Sequence, residues 1–201
     1  MLKTRSILVC LTAASALLLA ACDTQEEQAA QPEEKVASET GPEALTGTLD
    51  RSFAESEIPE VVLTDPQGRE LDLTDTSGKP VLMNLWATWC APCVAEMPLL
   101  DDLAATLGDD VQVITVSEDM QGAEKVVPFF EENDLTNLPQ WMDPTNELAF
   151  HFGGGAVLPL TVLYDAEGRE VWRVIGAYDW GSEDAVAQVR EALAEAEGQG
   201  R

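Results

Sequence analysis

The sequence predicts an α/β domain, a mixed central sheet with helices on its faces. Two observations carry this. Short apolar runs suited to buried strands alternate with stripes of helical period through the middle of the chain, and an antiparallel hairpin signal stands at each end of that alternation. The elements follow in order between Ser56 and Gly198. Val61-Val62-Leu63, the turn residues Asp65-Pro66-Gln67-Gly68 and then Glu70-Leu71-Asp72-Leu73 predict the first hairpin. Pro80 to Ala87 (PVLMNLWA) is an apolar run and predicts a strand buried on both faces. Cys93, Met97, Leu100, Leu103 and Leu107 recur at helical spacing; Pro98 predicts a kink in that helix and Gly108 its end. Val111 to Val116 predicts another buried strand, Gly122 to Asn133 a helix and Glu147 to Phe152 a shorter one. Leu160 to Tyr164, the turn Asp165-Ala166-Glu167-Gly168 and Val171 to Ile175 predict the second hairpin. Ser182 is placed to cap the last helix, with Glu183 and Asp184 where the helix dipole favours acids. Val186, Val189, Leu193 and Ala196 are its expected buried stripe.

What precedes Ser56 has a different composition. Met1 to Ser6 carries Lys3 and Arg5 and no acid, and Ile7 to Ala21 is apolar except for Thr12 and Ser15. A membrane-spanning helix needs about 20 such residues, so this shorter run reads as the core of a signal peptide, residues 1–21. It ends in Leu19-Ala20-Ala21-Cys22, which resembles the lipobox of bacterial lipoproteins, and that resemblance implies lipidation of Cys22. Asp23 follows; in enterobacterial lipoproteins an acid there implies retention at the inner membrane. Residues 22–55 read as a disordered acidic tether. From Asp23 to Asp50 there are eight acids and one lysine, no aromatic and no period. A flexible chain of that length spans roughly 30 Å, enough to hold a domain off a membrane surface.

Across all 201 residues, 11 Lys and Arg face 37 Asp and Glu, a formal charge of −26. Such a chain repels phosphate backbones and anionic head groups, which argues against nucleic-acid binding and electrostatic membrane docking. An anchor would have to be acyl chains.

Of the four cysteines, Cys10 lies in the expected signal peptide and Cys22 at the expected lipidation site. That leaves Cys90 and Cys93 as thiols. A disulfide three residues apart closes almost no loop, so the pair is not there for stability. A zinc site wants four ligands; no second cysteine pair exists and His151 is the only histidine. Trp86-Ala87-Thr88-Trp89-Cys90-Ala91-Pro92-Cys93 instead sets a Cys-x-x-Cys between a buried strand and a helix, the context of a dithiol redox site. Cys90 falls at the helix N-terminus, where unpaired N–H groups stabilise a thiolate. Pro92 lies in the first turn, where its missing N–H costs nothing. Cys90 is therefore expected to attack and Cys93, one turn in, to resolve. No cofactor is expected beyond this redox-active disulfide, and no metal.

The stretches GKPVLMNLWATWCAPCVAEMPLL and DPTNELAFHFGGGAVLPLTVLYDAEGREVWRVIG resemble the TlpA-type membrane-anchored thioredoxins, exported bacterial thiol–disulfide oxidoreductases. The resemblance implies a thioredoxin fold with an N-terminal hairpin extension and an insertion in the central βα region. It also implies a cis-proline facing the dithiol, by position Pro159, with the backbone at Leu158 pairing to an extended substrate segment. Where the family often has Gly-Val-Pro-Thr, this chain has Val157-Leu158-Pro159-Leu160. Glu96, three residues after Cys93, should share its helix face, and in similar reductases an acid there influences the titration of the dithiol. Trp89, Ala91 and Pro92 join Leu158 as expected substrate contacts, with Trp86 in the core.

The function expected is reduction of protein disulfides through a mixed disulfide, on the periplasmic side of a membrane and supplied by a membrane electron donor of the thiol-reductase type. Ala91-Pro92 brings no charge to the motif, which favours a reductase over an oxidant. Two alternatives stand beside it: the same chemistry dedicated to cytochrome c maturation, and a copper-handling protein using Cys90, Cys93 and His151. A thiol peroxidase would want Pro-x-x-x-Thr-x-x-Cys; Thr88 precedes Cys90 by two residues, not three, and the proline is absent.

Overall fold

Among the described residues eight strands form one mixed sheet, with the dithiol segment leaving one of its two central strands. The structure, a computed structural model, describes residues 45–76, 78–153 and 157–199. In chain order the strands are β1 (Thr46–Asp50), β2 (Val62–Thr64), β3 (Glu70–Asp72), β4 (Val81–Trp86), β5 (Gln112–Ser117), β6 (Trp141–Met142), β7 (Leu160–Tyr164) and β8 (Glu170–Tyr178). The helices are α1 (Ala91–Leu107), α2 (Ala123–Glu132), α3 (Glu147–His151) and α4 (Glu183–Gln199). The sheet order is β1-β8-β7-β4-β5-β6-β2-β3. β4 pairs parallel with β5 and antiparallel with β7. This is the thioredoxin-type mixed sheet with flanking helices that the resemblance implied.

Why β4 is apolar almost throughout is visible in its packing, for all six of its residues are buried. Leu82 and Trp86 face one core with Met97, Leu100, Phe130, Trp172 and Val189. Val81, Met83 and Leu85 face another with Ile114, Val116, Leu148 and Val162. A strand covered on both sides cannot alternate with polar residues. Asn84 is the exception, and it turns its amide toward a partner on α1. The cap of α4 is as expected: Ser182 Oγ accepts from Ala185 N at 3.2 Å. Its buried residues are Ala185, Val189, Ala192 and Leu193, while Val186 and Ala196 sit half-buried beside them. The insertion expected in the central βα region does not fall between the central strand and its helix: only residues 87–90 link β4 to α1, whereas α2, β6 and α3 stand between β5 and β7.

A second expectation is corrected. The tether was placed through residue 55, yet Thr46–Asp50 adds an edge strand, with Thr48 opposite Ile175 and Asp50 opposite Arg173. Beyond it, Glu55 N donates to Glu170 O and Glu170 N to Ser56 O. Backbone donors and acceptors make these bonds, so a polar, aperiodic composition does not forbid them. The close approach also needs glycine, since a Cβ on Gly47 would stand 2.5 Å from Gly176 O. The expected signal peptide, Cys22 and the rest of the tether up to residue 44 lie outside the described residues.

Candidate active site

β4 ends at Trp86, and the chain turns through residues 87–90 before α1 begins. Cys90 N donates to Ala87 O at 3.1 Å, closing the turn. Cys90 then serves as the N-cap of α1, its Sγ accepting from Cys93 N at 3.3 Å. Pro92 occupies the first turn of α1. The two cysteines form a disulfide with their Cα atoms 5.2 Å apart. Cys93 is fully buried and Cys90 keeps a sliver of exposure, 6%. The half-cystine that solvent reaches is therefore Cys90.

Around it, Trp89 is 70% exposed, Ala91 is exposed and Pro92 half-buried, whereas Trp86 is wholly buried against Phe129 and Phe130. Pro159 is buried, the Leu158–Pro159 peptide bond is cis, and half-buried Leu158 packs against both cores. Val157 just before it is exposed. His151 ends α3 with its ring edge-on to Phe152 and lines a cavity with Phe53, Tyr164 and Arg173. Among the described residues no group of three or more Cys, His, Asp or Glu could hold a metal ion.

Glu96 is fully buried on α1, one turn beyond Cys93, and is not a solvated surface acid. Its Oε1 accepts from Asn84 Nδ2 at 2.8 Å; its Oε2 accepts from Tyr178 N at 3.0 Å and Trp180 Nε1 at 3.2 Å. Burial raises its pKa to about 7, against the pull of those three donors toward the carboxylate. Near neutrality Glu96 can thus take or release a proton inside the protein.

The sequence reading passed over Asn84 and Trp180. Asn84 was readable as the one polar residue in an apolar strand, a pattern that calls for a buried partner. Trp180 lies outside every periodic stretch, and nothing in the sequence joins it to a residue 84 positions earlier. Two acids at the end of β5 were missed as well. Asp119 is buried and bonded to Thr88. Glu118 is buried with neither carboxyl oxygen hydrogen-bonded, and burial together with the nearby Asp143 charge raises it to about 8.

A thioredoxin-type sheet presenting a Cys-x-x-Cys disulfide at the start of its central helix defines a dithiol oxidoreductase. The chain belongs to the AhpC/TSA family, which it matches over residues 54–173. It is 33% identical over 121 residues to the thiol-disulfide oxidoreductase ResA of Bacillus cereus, across 60% of this chain and 68% of that one. Among solved structures it is similar to the exposed lipoprotein thioredoxin Etrx1 of Streptococcus pneumoniae, with 29% identity and a TM-score of 0.56 over 66% of this chain and 99% of that one. Its fold is shared with a protein described as the thiol:disulfide interchange protein DsbE of Chlorobium tepidum, at 23% identity and a TM-score of 0.59, covering 73% and 99%. The protein is a thiol–disulfide oxidoreductase.

Proposed function

We propose that the protein is an exported, lipid-anchored reductase of protein disulfides, with Cys90 as the attacking thiolate, Cys93 as the resolving thiol and Glu96 as the group that exchanges protons with the pair. The observation that carries the direction is how little supports a thiolate at Cys90. Among the described residues its Sγ accepts one hydrogen bond, from Cys93 N, and Ala91-Pro92 adds no charge between the cysteines. The carboxyl of Glu96, buried one turn beyond Cys93, opposes negative charge on the pair whenever it is ionised. A dithiol whose reduced form is weakly stabilised gives its electrons away readily. Cis Pro159 and the backbone at Leu158, with Trp89, Ala91 and Pro92, form the proposed contact surface for an extended protein segment. A membrane donor of the thiol-reductase type would return the electrons, and Cys22 would hold the domain at the periplasmic face of the inner membrane.

Equilibration of the purified chain in glutathione buffers tests the direction. A reductase has a potential near the thioredoxin end of the scale, about −270 mV; a value near the strongly oxidising extreme, about −120 mV, would reverse the assignment. Glu96→Gln tests the proton role. Removing the ionisable carboxyl should lower the apparent pKa of the reduced dithiol, read by alkylation rate against pH, and an unchanged profile would leave Glu96 a structural group only.

A further inference from the structure

We propose that Asp119 is a positioning residue of the dithiol loop, its carboxylate holding Thr88 and so keeping Cys90 at the helix tip. The inference rests on the thiol–disulfide reading of the site. Residues 87–90 cross from β4 to α1, and backbone pairing with β5 stops where that crossing starts: Trp86 is opposite Ser117, and Glu118 N donates to Trp86 O at 2.9 Å. Beyond that point a side chain takes over the ladder. Asp119 Oδ2 accepts from Thr88 N at 2.9 Å, and Oδ1 accepts from Thr88 Oγ1 at 2.7 Å. Ser117 Oγ donates to Oδ2 at 2.8 Å and accepts from Asp119 N at 3.1 Å, which fixes the carboxylate from behind.

Asp119 is 2% exposed and makes no ion pair among the described residues. A buried carboxylate held by hydrogen-bond donors alone is costly to retain for packing. Its three donors use the acceptor capacity that distinguishes a carboxylate from an amide. Two of the three come from the residue two places before Cys90. With Thr88 held, the turn closed by Cys90 N and Ala87 O keeps Cys90 at the N-cap, where Sγ meets Cys93 N. The same bonds tie the backbone that carries exposed Trp89 to the backbone that carries exposed Met120. Asp119 thus acts on the thiol through Thr88, without touching it.

The test is alkylation of Cys90 by iodoacetamide across pH in the full, reduced chain, with the modified cysteine identified by peptide mapping. Thr88→Val leaves the Asp119 charge in place and removes the hydroxyl donor. Its Cys90 midpoint should rise by about half a unit, which is about threefold slower alkylation below the midpoint. Thr88→Ala should shift it equally, and Thr88→Ser should restore the wild-type profile. Unchanged midpoints in the valine and alanine variants, or a serine variant as impaired as they are, overturn the inference while the oxidoreductase reading stands. A wild-type disulfide that dithiothreitol fails to open overturns that reading and this inference with it.

Discussion

Cys93→Ser turns the protein into a trap that holds its partners covalently on Cys90, whereas Cys90→Ser holds none and ends disulfide exchange altogether. In the proposed direction the chemistry would run in two displacements. The Cys90 thiolate attacks one sulfur of a partner disulfide; that S–S bond breaks, a mixed disulfide forms and the partner's other sulfur leaves as a thiolate to be protonated. The Cys93 thiolate then attacks Cys90 Sγ, closing the internal disulfide and releasing the partner's second thiol. Two electrons have passed to the partner, and the pair stands oxidised, in the state the structure shows. Without Cys93 the second displacement is lost and the first product persists. The asymmetry of burial supports the proposal that Cys90 starts: it keeps 6% of its surface beside a tryptophan 70% exposed, and Cys93 keeps none. Non-reducing electrophoresis of cell extracts carrying each variant reads the result. Adducts on Cys93 in the Cys90→Ser chain, and none in the converse, would exchange the two roles.

The oxidised protein should lose stability steadily as pH rises from 5 to 8, the reverse of ordinary acid denaturation. Burial raises the carboxyls of Glu96 and Glu118 to about 7 and about 8, from 4.5 for a free glutamate. Between these limits the folded chain binds protons that the unfolded chain has released, so unfolding becomes easier with each step in pH, by about 1.4 kcal/mol per unit for each such group. The Glu96 contribution ends near pH 7 and that of Glu118 near pH 8. The combined loss should be on the order of 6 kcal/mol. Asp72, held down by the Thr74 hydroxyl and N–H, titrates below this window. Urea midpoints on the disulfide form, where the thiols do not titrate, measure the slope. Glu118→Gln should flatten it between pH 7 and 8, and Glu96→Gln should halve it below pH 7. A wild-type slope that is flat or rising would show both carboxyls to be ionised in the folded protein.

Much of the fold was legible because its signals are local. The apolar run at 80–87, the helical recurrence from Cys93 to Leu107 and the turn residues at 65–68 and 165–168 each report a choice made within a few residues, and the structure follows them closely. β6 was not legible: two residues carry no period, and Trp141 and Met142 are a strand only because β5 and β2 lie on either side of them. β1 escaped for a related reason, since its polar stretch is ordered by the free edge of β8.

The same division runs through the site. By itself the sequence determined that two cysteines three residues apart sit at the start of a helix, with a carboxyl one turn further on, because spacing along a helix is geometry that the chain carries with it. Only the tertiary structure decided what surrounds that carboxyl. Asn84 and Trp180 reach Glu96 from β4 and from the segment after β8, across 12 and 84 positions of chain. Asp119 reaches Thr88 from the end of β5, 31 positions away. Those contacts, and the withdrawal from water that raises Glu96, arise when distant strands close around α1. Solvation and long-range hydrogen bonding are properties of the packed assembly, and no pattern of neighbouring residues encodes them.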